Sequence, residues 1–289
     1  MTITANDAPP PGVPATREAA AKLKRWQRLD AFLRIALPTA VIAGLICLWQ
    51  DYVTTNNVPH YILPSPARVL DALVEDRAML FSGLVNTLII TFGALFLAVT
   101  LGVTIAIALT QSRLVEYAIF PIAVVLQVTP IVAVFPLINI YVENIYAKLL
   151  LCAWIVAFFP ILSNTTLGLN SADRNLRDLY KLYGASRWQT LRYLQLPGAM
   201  PYFLGGLRIA GGLALIGAVV AEFVAGSAGA GTGLASRLIE AGYRLQIPRL
   251  FAALFLISLT GIVIYVTLAF ISSKLLSSWH ESAMSKGNR

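Results

Sequence analysis

The chain has 289 residues, of which 57% are hydrophobic and only 12% are charged, and its mean hydropathy is +0.72. Soluble globular proteins carry about 25% charged residues, so this composition excludes an ordinary soluble domain and indicates several membrane spans. The net charge of +8 could indicate nucleic-acid binding, but the basic residues cluster between apolar runs, as expected of charges that orient a membrane protein.

Residues 1–34 are predicted to form a cytosolic disordered tail followed by a basic amphipathic segment. The tail, up to about Pro14, is rich in Pro, Ala and Thr and has no apolar face, which is typical of disorder. The rest of the segment is basic, and Trp26, Leu29 and Leu33 share a helical face. This pattern favours two alternatives equally, a helix on the membrane surface and a solvated extension.

Residues 35–289 are predicted to form an all-α membrane protein, a polytopic bundle of about six helices. The predicted spans are approximately 35–52, 83–110, 117–141, 149–169, 204–224 and 250–275. Outside them, Ser65 is the predicted N-cap of a helix that begins at Pro66 and runs to about Leu80. Residues 234–246 are amphipathic and are predicted to lie along the outer interface.

The second and third spans carry different patterns. Small residues recur at three- and four-residue intervals from Gly93 to Ala106 in the second span, which favours helix packing. The third span is interrupted by prolines and carries polar residues beside them: Pro121, Gln127, Thr129, Pro130, Pro136 and Asn139. Broken backbone persists in a membrane where it lines protein or a water-filled cavity. A transport pathway and a kinked packing helix remain equally open interpretations.

The fifth span carries two charged residues, Arg208 and Glu222. Fourteen residues of helix place them about 21 Å apart, so they cannot pair with each other. Ionisable residues inside a membrane are costly and mark functional positions by default. We therefore add both to the candidate pathway residues, together with Gln127, Thr129, Pro130 and Asn139.

The segment Asp178–Pro197 is the longest polar, arginine-bearing interval between apolar runs, within a loop that we assign to residues 171–200. Guanidinium groups are too costly in hydrocarbon, so this segment must lie in the cytosol and dock on something there. Its apolar residues recur at helical spacing with a break at Gly184. This pattern predicts two short amphipathic helices that meet at a glycine turn.

The spacing of this segment resembles the cytoplasmic loop of permease subunits of ATP-driven (ABC) importers. That loop is written EAA, three residues, Gly, nine residues, Ile, one residue, Leu-Pro. In this chain Gly184, Leu194, Leu196 and Pro197 stand at the Gly, Ile, Leu and Pro positions, and Asp178-Leu179-Tyr180 stands where the family has Glu-Ala-Ala. Only the acid of that triplet is approximated.

The resemblance extends over roughly residues 61–279. Ile62–Pro66 followed by Val69-Leu70, and the stretch Pro197–Glu222, look like the branch of the family that imports nitrate, sulfonates and taurine. The resemblance implies that the polar loop forms a short coupling helix on a separate ATP-binding subunit. The residues implied in coupling are Asp178, Leu179, Tyr180, Gly184, Ala185 and Pro197.

The resemblance also implies partners, location and cargo. A substrate-binding protein, periplasmic or lipid-anchored, delivers cargo at the outer face, and a homodimer of permease chains encloses the pathway. The implied location is the bacterial cytoplasmic (inner) membrane. The implied cargo is a small anion such as nitrate, a sulfonate or taurine, or a pyrimidine vitamin precursor.

The distribution of basic residues predicts the orientation independently. With six spans, fifteen lysines and arginines fall on the side of the termini and six on the other side. Basic residues are retained on the cytoplasmic side. Both termini and the loop 171–200 are therefore expected in the cytosol.

No residue pattern indicates catalysis or a bound cofactor. The glycine-rich stretch Gly226–Gly233 lacks the preceding strand and the Gly-Lys-Ser/Thr of nucleotide-binding loops. We expect no ATP, metal or catalytic site in this chain; ATP would bind the partner subunit. The alternative function is a secondary transporter or channel driven by an ion gradient. A membrane-embedded enzyme would need a His, Asp and Glu constellation that the sequence does not contain.

Overall fold

The computed structural model describes residues 17–226 and 233–277, and every regular element in these ranges is helical. Helices α1 to α11 are, in chain order, Arg17–Thr55, Pro66–Glu75, Arg77–Gln111, Arg113–Val128, Ile131–Tyr141, Ile145–Asn170, Arg174–Leu182, Arg187–Thr190, Leu196–Ala225, Leu234–Tyr243 and Ile247–Leu276. Five described helices are long and apolar enough to cross a membrane, and the bent pair α4 and α5 makes a sixth span if counted as one. The predicted all-α polytopic bundle is confirmed. The predicted disordered tail and most of the glycine-rich stretch lie outside the described residues.

The basic segment and the first span form one helix, whereas the sequence predicted two elements with a boundary at residue 34. Helix α1 runs without a break from Arg17 to Thr55 and accommodates Pro38 in its interior. Within its apolar part, Phe32–Thr55, the most apolar stretch of 18 residues contains no residue that is buried against the rest of the chain. The apolar surface of α1 is therefore free for lipid or another protein chain.

The second span begins earlier than predicted because the preceding helix is shorter. Ser65 caps α2 as expected, and its hydroxyl accepts a hydrogen bond from Arg68 N at 3.4 Å. Helix α2 ends at Glu75 instead of Leu80, since the backbone at Asp76 leaves the helical conformation (φ −93°, ψ 11°). Helix α3 then starts at Arg77, six residues before the predicted start of the span.

The core of the bundle is built where α6 crosses α9, with α3 packed against both. Glycines allow the close approach: a Cβ at Gly217 would lie 2.9 Å from Ala153 Cα, and one at Gly206 would lie 2.8 Å from Pro160 O. Helix α3 contributes a buried row of small residues, Ala94, Ala98, Gly102 and Ala106. The packing stripe predicted for the second span is thus present, and backbone contact holds the three central helices together.

The third span is broken into two helices that meet at an angle of 105°. The break lies at Thr129 and Pro130, both in extended conformation. Of the three prolines expected to interrupt this span, only Pro130 does so, since Pro121 and Pro136 lie inside α4 and α5. The residue before a proline is driven to extended backbone, and at Thr129 no helical context overrides that preference.

The remaining spans are longer than predicted. The fourth span is α6, Ile145–Asn170, and the sixth is α11, Ile247–Leu276. The fifth was predicted to begin at residue 204, but α9 begins at Leu196, and a π-helical turn over Leu191–Gln195 joins it to α8. The last part of the predicted loop 171–200 is therefore the start of a span, since proline is tolerated in the first turn of a helix.

Helix α10, predicted to lie along the outer interface, is packed into the bundle. Its residues Leu234, Ala235, Ser236 and Ala241 are buried. The following helix α11 is tied to the start of α3 by a two-pronged ion pair, in which the guanidinium of Arg249 meets both carboxylate oxygens of Asp76 at 2.5 and 2.7 Å.

Replacing Asp76 by alanine is expected to lower the free energy of unfolding by about 2 kcal/mol, because it leaves a largely buried guanidinium without its partner. The Asp76 and Arg249 side chains are only 19% and 22% exposed. The measurement is thermal unfolding of the detergent-solubilised chain. Arg244→Ala is the control, since Arg244 is 62% exposed in its pair with Glu240, and exposed pairs contribute under about 1 kcal/mol. Equal losses in the two variants would contradict the expectation.

Candidate functional site

The polar loop folds as the predicted pair of short helices, α7 and α8, which meet at Gly184. This glycine has a φ of +70°, a left-handed conformation that glycine adopts without steric cost. Each helix starts with a side-chain cap. The Asp173 carboxylate accepts from Asn175 N, and Ser186 forms a reciprocal capping box with Gln189. The caps satisfy free backbone donors and hold the turn in a defined structure. We call residues 174–190, which contain α7, Gly184 and α8, the elbow.

The elbow is fastened to the membrane-spanning core at its base. Arg177 Nη2 donates to the backbone oxygen of Leu169 at 2.9 Å, and Gln195 Nε2 donates to the same oxygen at 3.3 Å. Leu169 lies at the end of α6, and Gln195 leads directly into α9. Because α6 and α9 cross in the core, a force applied to the elbow would reach the centre of the bundle.

The tip of the elbow exposes large apolar side chains. Leu182 and Tyr183 are 85% and 84% exposed, Trp188 is 64% exposed and Leu179 is 45% exposed. We call these four residues the elbow surface. Exposed apolar groups on a polar, charged segment are typical of protein-interaction sites, so the elbow surface is a candidate docking site.

The residues that the sequence assigned to coupling occupy different parts of this structure. Asp178 is exposed and pairs with Lys181 at 3.0 Å. Tyr180 and Ala185 are half-buried and bond to each other through their backbones across the turn. Pro197 lies in the first turn of α9, beyond the π-helical turn. The sequence prediction does not include the exposed Leu182, Tyr183 and Trp188, although apolar residues within a charged segment are a readable signal.

The polar residues assigned to the third span do not converge on one site. Gln127 and Pro130 are exposed, and the Thr129 hydroxyl bonds within its own helix, to Val125 O at 2.7 Å. Asn139 lies near the far end of α5, where its side-chain oxygen accepts from Lys148 Nζ at 2.7 Å. The exposed positions flank the 105° bend, so the bend itself is the feature of this segment that could line a pathway.

The two charged residues of the fifth span have unlike surroundings. Glu222 is fully buried, and its carboxylate accepts hydrogen bonds from the Thr87 hydroxyl and the Ala235 backbone. It therefore reaches no open surface of this chain, and its place among the pathway residues stays a prediction. Arg208 is half-buried, and its Nε is enclosed without a hydrogen-bond partner.

One side of α9 is left uncovered although the rest of the helix is deeply buried. Its large residues recur every seven positions and are 39 to 57% exposed: Tyr202, Ile209, Ile216 and Phe223. Beside them, Gly198, Gly205 and Gly212 have no atom within 4 Å of a Cβ built on them. We call this side the open face of α9, and Arg208 lies at its edge. It is a smooth apolar surface on the central helix of the bundle.

Within the ranges that the structure describes, no three His, Cys, Asp or Glu side chains are grouped so that they could hold a metal ion. The two cysteines, Cys47 and Cys152, are free thiols.

Residues 98–277 match the family described as the binding-protein-dependent transport system inner membrane component. The riboflavin transport system permease protein RibX of Chloroflexus aurantiacus is 34% identical over 93% of this chain and 98% of RibX. The formylaminopyrimidine transport permease protein ThiX of Halalkalibacterium halodurans is 32% identical over 83% of this chain and 94% of ThiX. The taurine transport system permease protein TauC of Escherichia coli is 28% identical over 86% of this chain and 90% of TauC.

Solved structures share the fold. The crystal structure of an amino acid ABC transporter with histidines contains a chain that superposes with a TM-score of 0.59 at 17% identity, over 70% of this chain and 96% of that one. The methionine transporter MetNI gives a TM-score of 0.55 over the same shares. With the family match over more than half its length, this chain belongs to the inner-membrane components of binding-protein-dependent transport systems, the permeases of ABC importers.

Proposed function

We propose that two copies of this permease form the cargo pathway of an importer in a bacterial inner membrane, with both termini cytosolic. A substrate-binding protein delivers the cargo, and a separate ATP-binding subunit drives transport through the elbow surface. The observation that carries the proposal is the elbow itself: a capped, rigid turn that presents Leu182 and Tyr183 almost fully to solvent.

The connection of the elbow to the core supports a coupling role. Leu169 O accepts one hydrogen bond from Arg177 in α7 and a second from Gln195, which lies between α8 and α9. Movement of a bound subunit would be transmitted to α6 and α9 together. Side-chain hydrogen bonds of a charged group are stronger than neutral ones, so Arg177 is the main transmitting contact.

A second copy is supported by the open face of α9. The helix is the most central of the bundle, yet one side has no covering element among the described residues. Two such faces, placed opposite each other by twofold symmetry, would enclose a channel whose walls are aliphatic, aromatic and glycine surfaces. The exposed residues beside the α4–α5 bend would complete these walls.

For the cargo, we infer a flat nitrogen heterocycle of the vitamin class. The relatives named for riboflavin and formylaminopyrimidine transport share 34% and 32% identity, while those named for taurine, nitrate and bicarbonate share 28%, 25% and 27%. The aromatic and aliphatic open face suits ring stacking and apolar contact better than a small hydrated anion, which would need several donors.

The test is co-purification with the products of neighbouring genes. The tagged permease is expressed with them, solubilised in mild detergent and isolated, and we expect a stoichiometric subunit with ATPase activity. Recovery of the permease without an ATPase under these conditions would overturn the proposal.

The cargo inference is tested on the partner binding protein. Isothermal titration with riboflavin and formylaminopyrimidine is expected to give binding, and titration with taurine and nitrate is expected to give none. The reverse result would assign the importer to small anions.

A further inference from the structure

The carboxylate of Glu222 joins three helices at one end of the bundle. Its Oε1 accepts from the Thr87 hydroxyl at 2.8 Å, and its Oε2 accepts from Ala235 N at 3.0 Å. The Thr87 hydroxyl oxygen also accepts from Leu234 N at 2.9 Å. We call Glu222, Thr87 and these two backbone N–H groups the Glu222 junction. It links α9, which carries the carboxylate, to α3 and to the first residues of α10.

The start of α10 matches the Glu222 carboxylate in its hydrogen-bond donors and in its shape. Leu234 and Ala235 open helix α10 and have no helical acceptor for their N–H groups, and the positive end of a helix dipole favours a carboxylate there. A Cβ at Gly233 would overlap the carboxyl group of Glu222, and one at Gly83 would lie 3.3 Å from Leu234 N. Because Gly83 and Gly233 have no side chains, α3, α9 and α10 can approach each other this closely.

Opening the junction would be costly. Glu222 and Thr87 are both 0% exposed, and Leu234 is fully buried. Separating α10 from α9 would leave a carboxylate, a hydroxyl and two backbone amides without partners where water does not reach. Each polar group so stranded costs about 1–3 kcal/mol.

A second polar contact holds the segment in which α10 is followed by α11. The ion pair of Asp76 with Arg249 fastens the start of α11 to the start of α3, and Gln246, just before α11, accepts from the same guanidinium at 2.5 Å. Helix α10 is thereby held at its start by the Glu222 junction and at its other end by the contacts of Arg249 at the start of α11.

We propose that Glu222 is a positioning residue for transport. Through Thr87 it fixes α10 to α3 and α9, so these three helices move as one body during the transport cycle. The inference rests on the proposed function in one respect, that a partner ATPase drives a conformational cycle.

The test is the reactivity of a cysteine reporter on α10 in the assembled complex. Ser236 is 3% exposed in α10 and Tyr243 is 85% exposed at its end. Each is replaced by cysteine in turn, in a chain whose Cys47 and Cys152 are alanine. Labelling with a membrane-impermeant maleimide is timed without nucleotide and after trapping with ATP and vanadate. We expect Ser236→Cys to react at least about tenfold more slowly than Tyr243→Cys in both states, as for a site that opens rarely.

Matched threonine variants test the junction itself. Thr87→Val removes both hydrogen bonds of the hydroxyl at nearly constant volume, and it is expected to speed labelling of Ser236→Cys by about tenfold, the equivalent of 1.4 kcal/mol. Thr87→Ser keeps the hydroxyl and is expected to restore slow labelling. Thr91→Val is the control, because Thr91 is equally buried one turn away but bonds only to Thr87 O in its own helix.

The outcomes separate the two proposals. Rapid labelling of Ser236→Cys after ATP–vanadate trapping of the otherwise unaltered chain would show that α10 moves, and would overturn the inference while leaving the importer assignment intact. Equal labelling of the Thr87→Val and Thr91→Val chains would also overturn it. A complex that neither forms nor hydrolyses ATP would instead contradict the proposed function.

Discussion

Gly184→Glu is expected to leave the permease folded and inserted but to lower binding-protein-stimulated ATP hydrolysis of the complex by at least about tenfold, the equivalent of about 1.4 kcal/mol of activation free energy. Two physical effects combine. A non-glycine residue at a φ of +70° costs about 1–2 kcal/mol, which favours a different elbow. The new carboxylate also stands at the tip of the apolar elbow surface, where a partner would have to desolvate it.

The same geometry explains why the fold survives. No atom lies within 4 Å of a Cβ built on Gly184, and the residue is exposed. The Glu side chain therefore meets solvent in the isolated chain, so the substitution changes the elbow and the complex that it forms but not the membrane-spanning bundle. The measurement compares membrane abundance of the permease, co-purified ATPase subunit and ATP turnover.

Gly184→Asn is the matched control for this variant, because asparagine tolerates left-handed backbone and carries no charge. It is expected to retain most of the ATP turnover. Normal assembly and turnover in the Gly184→Glu complex would show that the elbow tip is not the site of coupling, and would direct attention to other cytosolic segments.

The sequence was informative where the physical cause is local. The elbow followed from helical spacing and a single glycine, and the small-residue row of α3 followed from three- and four-residue intervals. The cap predicted at Ser65 is confirmed, because a cap depends only on its own neighbours. Such features depend on a few adjacent residues, and the structure agrees with them closely.

The sequence was misleading where a distant contact decides. Asp76 interrupts the helix predicted to reach Leu80, and its partner Arg249 lies 173 residues away. Glu222 is a predicted pathway residue because an acid in a span is unusual, and its bonds to Thr87 and to the start of α10 are visible only in the structure. Neither partner could be identified from spacing, since only the packing of α3 against α9 and α11 brings these groups together.

The glycines of α9 show the same division between local pattern and tertiary contact. Gly205 and Gly206 are adjacent and indistinguishable in the sequence. In the structure, a Cβ at Gly206 would lie 2.8 Å from both Pro160 O and Asn164 Cβ on α6, whereas one at Gly205 would have nothing within 4 Å. Only one of the two is needed for the central helix crossing.

We therefore expect Gly206→Ala to lower the free energy of unfolding by about 1–3 kcal/mol, the cost of overpacking a close contact. The strain is hard to relieve, because the added methyl presses on a backbone oxygen that also accepts from Asn164 Nδ2 at 2.8 Å. Gly205→Ala is expected to be neutral or slightly stabilising, since alanine costs less conformational entropy than glycine in a helix. The measurement is thermal unfolding of both purified variants, and equal losses would contradict the close α6–α9 crossing.

The Gly205→Ala chain has a second use in the assembled complex. Because the substitution leaves the fold of one chain undisturbed, any loss of ATP turnover must arise from what the open face of α9 meets outside that chain. A loss of turnover without loss of stability would support a second copy or the cargo against this face. Unchanged turnover would assign the face to lipid, and the pathway would then have to run along the α4–α5 bend.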